Sequence, residues 1–113
     1  MTVVITREQY VASARNRVVA VALAMLNDEL DFLEGSIQLV SMRHDVAVEE
    51  NDSDFMTFVA IASETDGLPI GSSREHWSKK ALIRHQPQVE AATVWAKQFG
   101  IGALHSLVRR FRT

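Results

Sequence analysis

Apolar residues recur every three to four positions along most of this chain, and this period limits the fold more than any other feature of the sequence. In the first third, the stripe consists of Tyr10, Ala14, Val18, Ala22 and Met25. Thr6 followed by Gln9 fits a capping box just ahead of it. The pattern predicts a helix over 7–28, packed on more than one side because further apolar residues widen the stripe.

Periodicity and capping residues predict the next two helices as well. A second helix is expected over 33–45, followed by a polar loop over 48–54. Carboxylates such as Asp52 and Asp54 are good N-cap residues, and their charge favours the dipole of the helix that follows. We therefore expect a third helix over about 55–63, with one apolar face.

The regular pattern breaks over 64–77, where the sequence ETDGLPIG contains two turn signals. Ser78 is then expected to cap a fourth helix, and Pro87 to lie in the first turn of a final helix. Gly100 and Gly102 weaken that last helix by roughly 1 kcal/mol each relative to alanine, so a break is left open there.

These elements predict a single all-α domain over residues 1–113, a bundle of about five helices with one irregular loop at about 64–77. The length of 113 residues suits one core, and 47% apolar with 23% charged residues is typical of globular domains. No cysteine is present, which is compatible with a reducing compartment. The apolar run over 18–26 is too short to span a bilayer. We expect a cytoplasmic protein without a membrane segment.

The formal net charge of -2 hides two opposed blocks. Residues 28–66 contain eleven carboxylates and one cation, whereas residues 74–113 contain eight cations and two carboxylates. Such an asymmetry bears on partners and solubility rather than on the fold.

Five carboxylates in and near the loop between the second and third helices are candidates for partner binding: Asp45, Glu49, Glu50, Asp52 and Asp54. One interpretation is a solvated face that keeps the protein in solution. The other is a docking surface for a basic partner, since complementary charge speeds encounter and suppresses wrong partners.

The motifs that specify chemistry are missing. The four histidines, His44, His76, His85 and His105, lack the spacings of a metal site. No serine has a nucleophile setting, and no glycine-rich phosphate loop occurs. We expect no catalytic residue, no metal and no cofactor.

A second candidate site is the irregular loop, which contains Glu64, Asp66, Arg74 and Trp77. In the structural interpretation the two carboxylates cap or bridge to Arg74, and Trp77 fills the core. In the functional interpretation the loop binds a ligand or performs catalysis, because loops held between helices often contain functional residues.

The basic last part suggests nucleic-acid binding over residues 94–112. Ala96, Gly100 and Ile101 have the spacing of a helix-turn-helix, followed by cations. Ser106 stands where a buried aliphatic residue is usual, and Gly102 occupies the cap position. The alternative is one long, kinked amphipathic helix with a solvated basic tail.

A specific motif, SETDGLPIG with a downstream Arg and Trp, covers residues 63–71, Arg74 and Trp77. With Glu34-Gly35-Ser36 and Phe55 and Phe58, it resembles a family of small uncharacterised bacterial proteins over about 18–108. That family is a domain of unknown function, so the resemblance implies no reaction, cofactor or catalytic residue. Some small proteins of this kind resemble immunity factors that are encoded beside bacterial toxins.

We therefore expect a non-enzymatic protein-binding domain, in its most concrete form an immunity-type inhibitor that presents region 45–66 to a basic toxin. The first alternative is a small helix-turn-helix-like nucleic-acid-binding protein, and the second is a ligand-binding or catalytic domain at the 64–77 loop. Dimerisation through an exposed apolar stripe is left open.

Overall fold

The computed structural model describes residues 4–112, which form four α-helices, two short 3-10 segments and no strand. The α-helices are α1 (Arg7–Leu26), α2 (Phe32–Met42), α3 (Ser53–Glu64) and α4 (Lys79–Phe111). The 3-10 segments are Arg43–Asp45, which continues α2, and Gly71–His76, which precedes α4. The predicted all-α bundle is confirmed.

Each of the four α-helices begins at a side chain that accepts a backbone N–H. The capping box is present, with Gln9 N donating to Thr6 Oγ1 at 3.1 Å and Thr6 N donating to Gln9 Oε1 at 3.0 Å. Asp31, Asp52 and Ser78 cap α2, α3 and α4 in the same way. These caps satisfy donors that the first helical turn leaves unpaired.

One core joins all four helices. It contains Ala14, Val18, Ala22, Met25, Phe32, Leu33, Leu39, Val46, Phe55, Phe58, Ile61, Ile70, Ala96, Leu104, Leu107, Val108 and Phe111. The stripe predicted on α1 is confirmed from Ala14 onward. Tyr10, in contrast, is 48% exposed, because its hydroxyl lies at the bundle edge and donates to Asp45 at 3.0 Å.

Small residues let α4 approach its neighbours closely. Ala96 and Gly100 are both buried. A Cβ atom added to Gly100 would lie 3.0 Å from Ile61 Cδ1 and 3.2 Å from Phe32 Cε1. The helix backbone itself therefore fills space in the core at this position, and the packing offsets the low helix propensity of glycine.

The predicted division of 78–111 into two helices is wrong, because α4 is continuous through Pro87, Gly100 and Gly102. Proline removes one helical hydrogen bond, here the one to the Ile83 carbonyl. Pro87 and Ile83 are both exposed, so water can solvate that carbonyl. The helix-turn-helix geometry predicted for 94–112 is also wrong, since no turn follows Gly100; nucleic-acid binding by these residues stays a prediction.

The two halves of α4 have different surroundings. All its buried residues lie between Ala96 and Phe111, where the helix packs against α1, α2 and α3. Residues 79–95 contain no buried side chain. The longest dimension of the molecule, 51 Å, is close to the roughly 50 Å expected for a 33-residue helix. Much of the surface of α4 is therefore exposed.

We predict opposite effects for the two glycines of α4. Gly102→Ala should raise the free energy of unfolding by about 0.5–1 kcal/mol, because a Cβ there meets nothing within 4 Å. Gly100→Ala should be less stable than Gly102→Ala by roughly 1–3 kcal/mol, owing to overpacking against Ile61 and Phe32. Urea unfolding measures both; equal stabilisation would contradict the close approach of α4.

Candidate functional site

The acidic loop, which we define as residues 45–54 leading into α3, is joined to the basic end of α4 by Arg110. Its Nη2 donates to Asp52 Oδ1 at 2.7 Å, and its Nη1 donates to Asp52 Oδ2 at 3.0 Å and to Asp54 Oδ2 at 2.8 Å. Ser106 Oγ adds a bond of 2.6 Å to Asp54 Oδ2. A bidentate arginine–carboxylate contact fixes orientation as well as distance. The cluster therefore holds the start of α3 beside the end of α4.

These contacts shift the pKa values of the groups involved. The hydrogen bonds from Arg110 lower the pKa of Asp52, with a further contribution from the backbone N–H of Phe55. The hydrogen bonds to Asp52 and Asp54 raise the pKa of Arg110 further above its already high value. The helix dipoles add to this arrangement, since the carboxylates lie at the start of α3 and the guanidinium in the last turn of α4.

A cleft of about 600 Å³ opens between the first half of α1 and the end of α4. The guanidinium carbons of Arg15 and Arg110 lie 4.9 and 5.1 Å from the centroid of the Phe111 ring. Arg15 Nε also donates to the Val46 carbonyl at 2.9 Å. The cation–π and hydrogen-bond contacts join α1, the acidic loop and α4.

The lining of this cleft contains three cations, Arg7, Arg15 and Arg110, and one carboxylate, Glu8. Arg110 is paired with Asp52 and Asp54, and Arg15 packs on the Phe111 ring and donates to the Val46 carbonyl. Because two of the three guanidinium groups are engaged within the molecule, we assign the cleft a structural role.

Three of the five carboxylates predicted to bind a partner have intramolecular partners. Asp45 accepts from the Tyr10 hydroxyl, which together with the charge of Asp45 raises the pKa of that phenol. Asp52 and Asp54 hold Arg110. Glu49 and Glu50 are exposed, and within residues 4–112 neither has a cation within 4 Å. Partner binding by this loop stays a prediction that depends mainly on these last two residues.

The structure does not join the four residues predicted to act together in the 64–77 loop. Glu64 and Asp66 are exposed, and among the described residues no hydrogen bond or ion pair connects them to Arg74. Trp77 is half-buried, and its ring meets His85 edge-on at 5.0 Å between centroids. The structural interpretation, with a carboxylate bridge to Arg74 and a core tryptophan, is therefore wrong.

Arg74 has different neighbours. It lines a pocket of about 300 Å³ with Asp31 and Glu34, at the start of α2. The backbone at Gly71 has φ +58°, a conformation that favours glycine. A Cβ atom added to Gly71 would lie 3.4 Å from the carboxylate of Glu34. Sequence reasoning did not connect Glu34 with Arg74, since forty residues separate them. A ligand-binding or catalytic role for this region stays a prediction.

A stripe of exposed residues runs along α4, opposite the core. Its positions alternate four and three residues apart, which places them on one side of a helix. The stripe consists of Arg84, Gln88, Ala91, Trp95, Gln98, Gly102, His105 and Arg109, all of them exposed. We call this stripe, with Lys80 before it and Phe99 beside Trp95, the outer face of α4.

Aromatic residues form the centre of the outer face. The rings of Trp95 and Phe99 stack at 5.3 Å between centroids and 12° between planes, and they are 38% and 49% exposed as residues. Val94 and Ile101 are further exposed apolar residues, on the other side of the stripe. Exposed apolar surface with a polar border is typical of protein interaction sites.

Sequence reasoning misses this face, since the apolar spacing of the final helix, which runs through Ala96, Phe99 and Leu107, predicts that Phe99 lies on the core side. The core side of α4 is formed by Ala96, Gly100, Leu104 and Leu107, and Phe99 lies at its margin. The sequence does contain a signal for this face. Positions that alternate four and three residues apart from Arg84 to Arg109 include a tryptophan among small and polar residues. That spacing alone does not say which side of a helix is covered.

Two further findings bear on function. Within residues 4–112, no group of three or more His, Asp or Glu side chains is arranged to hold a metal ion. No described helix has the length and hydropathy needed to cross a membrane.

The comparisons with known proteins give a family without a function. A model for a protein of unknown function, DUF2489, matches residues 5–100, which cover α1, α2, α3 and two thirds of α4. No curated protein and no solved structure matches the chain.

We predict that the Arg110 cluster makes stability depend on pH in acid. Because the pKa of Asp52 is below the ordinary value of 3.8, its contribution is present above that pH and is lost as pH falls through the lowered pKa. Arg110→Gln should cost about 1 kcal/mol at pH 7 and flatten the acid dependence, because Asp52 then titrates near its ordinary value.

Urea unfolding at several pH values, with NMR titration of the Asp52 carboxyl, measures the effect. Arg109→Gln is the matched control, since Arg109 has no carboxylate within 4 Å among residues 4–112. Equal acid sensitivity in wild type and Arg110→Gln would show that the cluster does not stabilise the fold.

Proposed function

We propose that this chain, which belongs to the DUF2489 family of unknown function, is a non-enzymatic protein-binding domain that binds an acidic partner protein through the outer face of α4. The observation that carries the proposal is the exposed Trp95–Phe99 stack at the centre of a helix face bordered by cations. Tryptophan, phenylalanine and arginine are enriched in protein interfaces, and buried tryptophans commonly dominate their binding energy.

The geometry of the stack favours binding over a structural role. Two large rings that are 38% and 49% exposed contribute less to folding than the same rings in the core would, because part of their apolar surface remains solvated. A partner that covers them gains that remaining area. The stack also holds both rings in one arrangement, so less side-chain entropy is lost on binding.

Charge supports an acidic partner. Lys80, Arg84 and Arg109 lie on or next to the stripe, and among residues 4–112 none has a carboxylate within 4 Å. In contrast, Lys97 and Arg110, which lie off the stripe, are paired with Asp28 and with the loop carboxylates. The cations on the outer face have no ion-pair partner within the described chain and can bind the carboxylates of a partner.

A second candidate is the predicted contact of a basic partner, in its sharpest form a toxin, with the acidic loop. The observation that favours it is the exposure of Glu49 and Glu50 side by side, without a cation nearby in the described chain. It is the weaker candidate, because Asp45, Asp52 and Asp54 are engaged within the molecule.

Site-specific crosslinking in cells of the native host tests the proposal. We expect a photoreactive residue at Gln98, on the outer face, to give a discrete crosslinked product that Trp95→Gln with Phe99→Gln abolishes. The same residue at Ser41, exposed on α2, should give none. The free energy of unfolding should fall by roughly 1–2 kcal/mol in the double variant, because the stacked pair is lost, and the fold should remain intact.

The charge-reversed variant Glu49→Lys with Glu50→Lys separates the two candidates. We expect it to leave the crosslink from Gln98 unchanged. Absence of a product from Gln98, or a product that survives Trp95→Gln with Phe99→Gln, would overturn the proposed function; loss of the product only on reversal of Glu49 and Glu50 would favour the basic partner.

A further inference from the structure

We infer that the partner presents an amphipathic α-helix with an apolar centre and carboxylates towards both ends, which lies along the outer face of α4. This inference rests on the proposed function and specifies the partner. Three observations carry it: the spacing of the stripe, the position of its cations, and the shape at Ala91 and Gly102.

The spacing of the stripe suits a helix. The exposed positions from Arg84 to Arg109 follow the alternating four-and-three pattern by which one helix packs along another at a small crossing angle. The stripe covers about 38 Å at 1.5 Å per residue, or roughly seven turns. A long and narrow surface of this kind matches the side of a second helix better than it matches a globular protrusion.

The stripe has small residues before and after Trp95. Ala91 lies four positions before the tryptophan and Gly102 seven positions after it, on the same side of the helix. A Cβ added to Gly102 would meet nothing within 4 Å. Apolar side chains of a partner helix can therefore pack over Ala91 and over Gly102, as knobs enter holes in coiled coils.

The cations occupy the two ends of the stripe. Lys80 and Arg84 lie at one end and Arg109 at the other, with Trp95 between them. Glu90 lies off the stripe, and its carboxylate accepts from Gln86 Nε2 at 3.1 Å. The complementary surface has an apolar middle and carboxylates at both ends, which is the pattern of an acidic amphipathic helix.

The same charges argue against a second copy of this chain as the occupant. Two copies of α4 packed antiparallel about the Trp95–Gln98 centre would set Arg84 of one copy opposite Arg109 of the other. In a parallel pair each cation would face its own equivalent. Like charges in direct opposition disfavour both arrangements.

Two synthetic peptides test the inference on the full-length protein. Each is about 25 residues long, with the same leucine and alanine residues at its apolar positions. One has glutamate and the other lysine at the flanking positions near both ends. Fluorescence anisotropy of labelled peptide gives the affinity at about 50 and about 300 mM salt.

We expect the glutamate peptide to bind at least about tenfold more tightly than the lysine peptide, and less tightly at high salt. Arg84→Glu with Arg109→Glu should reverse the preference, and Trp95→Ala should weaken binding of the glutamate peptide about tenfold or more. The matched control is Arg7→Glu with Arg17→Glu, which changes the net charge equally on the exposed side of α1 and should keep the preference.

Several results would overturn the inference. These are equal binding or no binding of the two peptides, tighter binding of the lysine peptide, a dimer in sedimentation that Trp95→Ala dissociates, or Trp95-dependent binding of a single-stranded oligothymidine in preference to the glutamate peptide. If the crosslink from Gln98 to a protein persists while the peptides fail, only the class of partner is wrong. If that crosslink is absent, the proposed function fails as well.

Discussion

The structure depends on the close approach of α4 to α2 and α3 at Ala96 and Gly100. At Gly100 the helix backbone lies against Ile61 and Phe32, with no room for a methyl group without adjustment. The apolar residues that follow, including Leu104 and Leu107, then enter the same core. This packing keeps α4 continuous through two glycines, because buried contacts outweigh the lower helix propensity of glycine.

The packing of α4 against α2 and α3 also decides which residues of α4 are exposed to solvent. Since small residues occupy part of its inner side, some of its bulky apolar residues lie elsewhere on the helix. Trp95 and Phe99 stack on each other on the outer face, where cations border them. The residues that make the tight contact in the core and those proposed to bind a partner are thus two sides of one helix.

Ion pairs join the acidic and the basic parts of the chain. The chain has an acidic block and a basic block, and the fold pairs part of one with part of the other through Arg110 with Asp52 and Asp54, and through Lys97 with Asp28 at 3.0 Å. These ion pairs neutralise part of the charge that the sequence distributes between two segments of opposite sign. The cations of the outer face and the carboxylates of Glu49 and Glu50 are among the charges without an ion-pair partner in residues 4–112.

The sequence by itself determined the local features of this protein: the helical class, the capping box at Thr6, the caps at Asp52 and Ser78, and the buried stripe from Ala14 to Met25. These depend on contacts between residues three or four positions apart, which the order of residues specifies directly. Tertiary structure alone decided that Gly100 is buried, that Phe99 is exposed, and that Arg74 and Glu34 line the same pocket. It also decided that Arg110 pairs with Asp52. Those outcomes depend on the space and charge supplied by residues tens of positions away, which local periodicity does not encode.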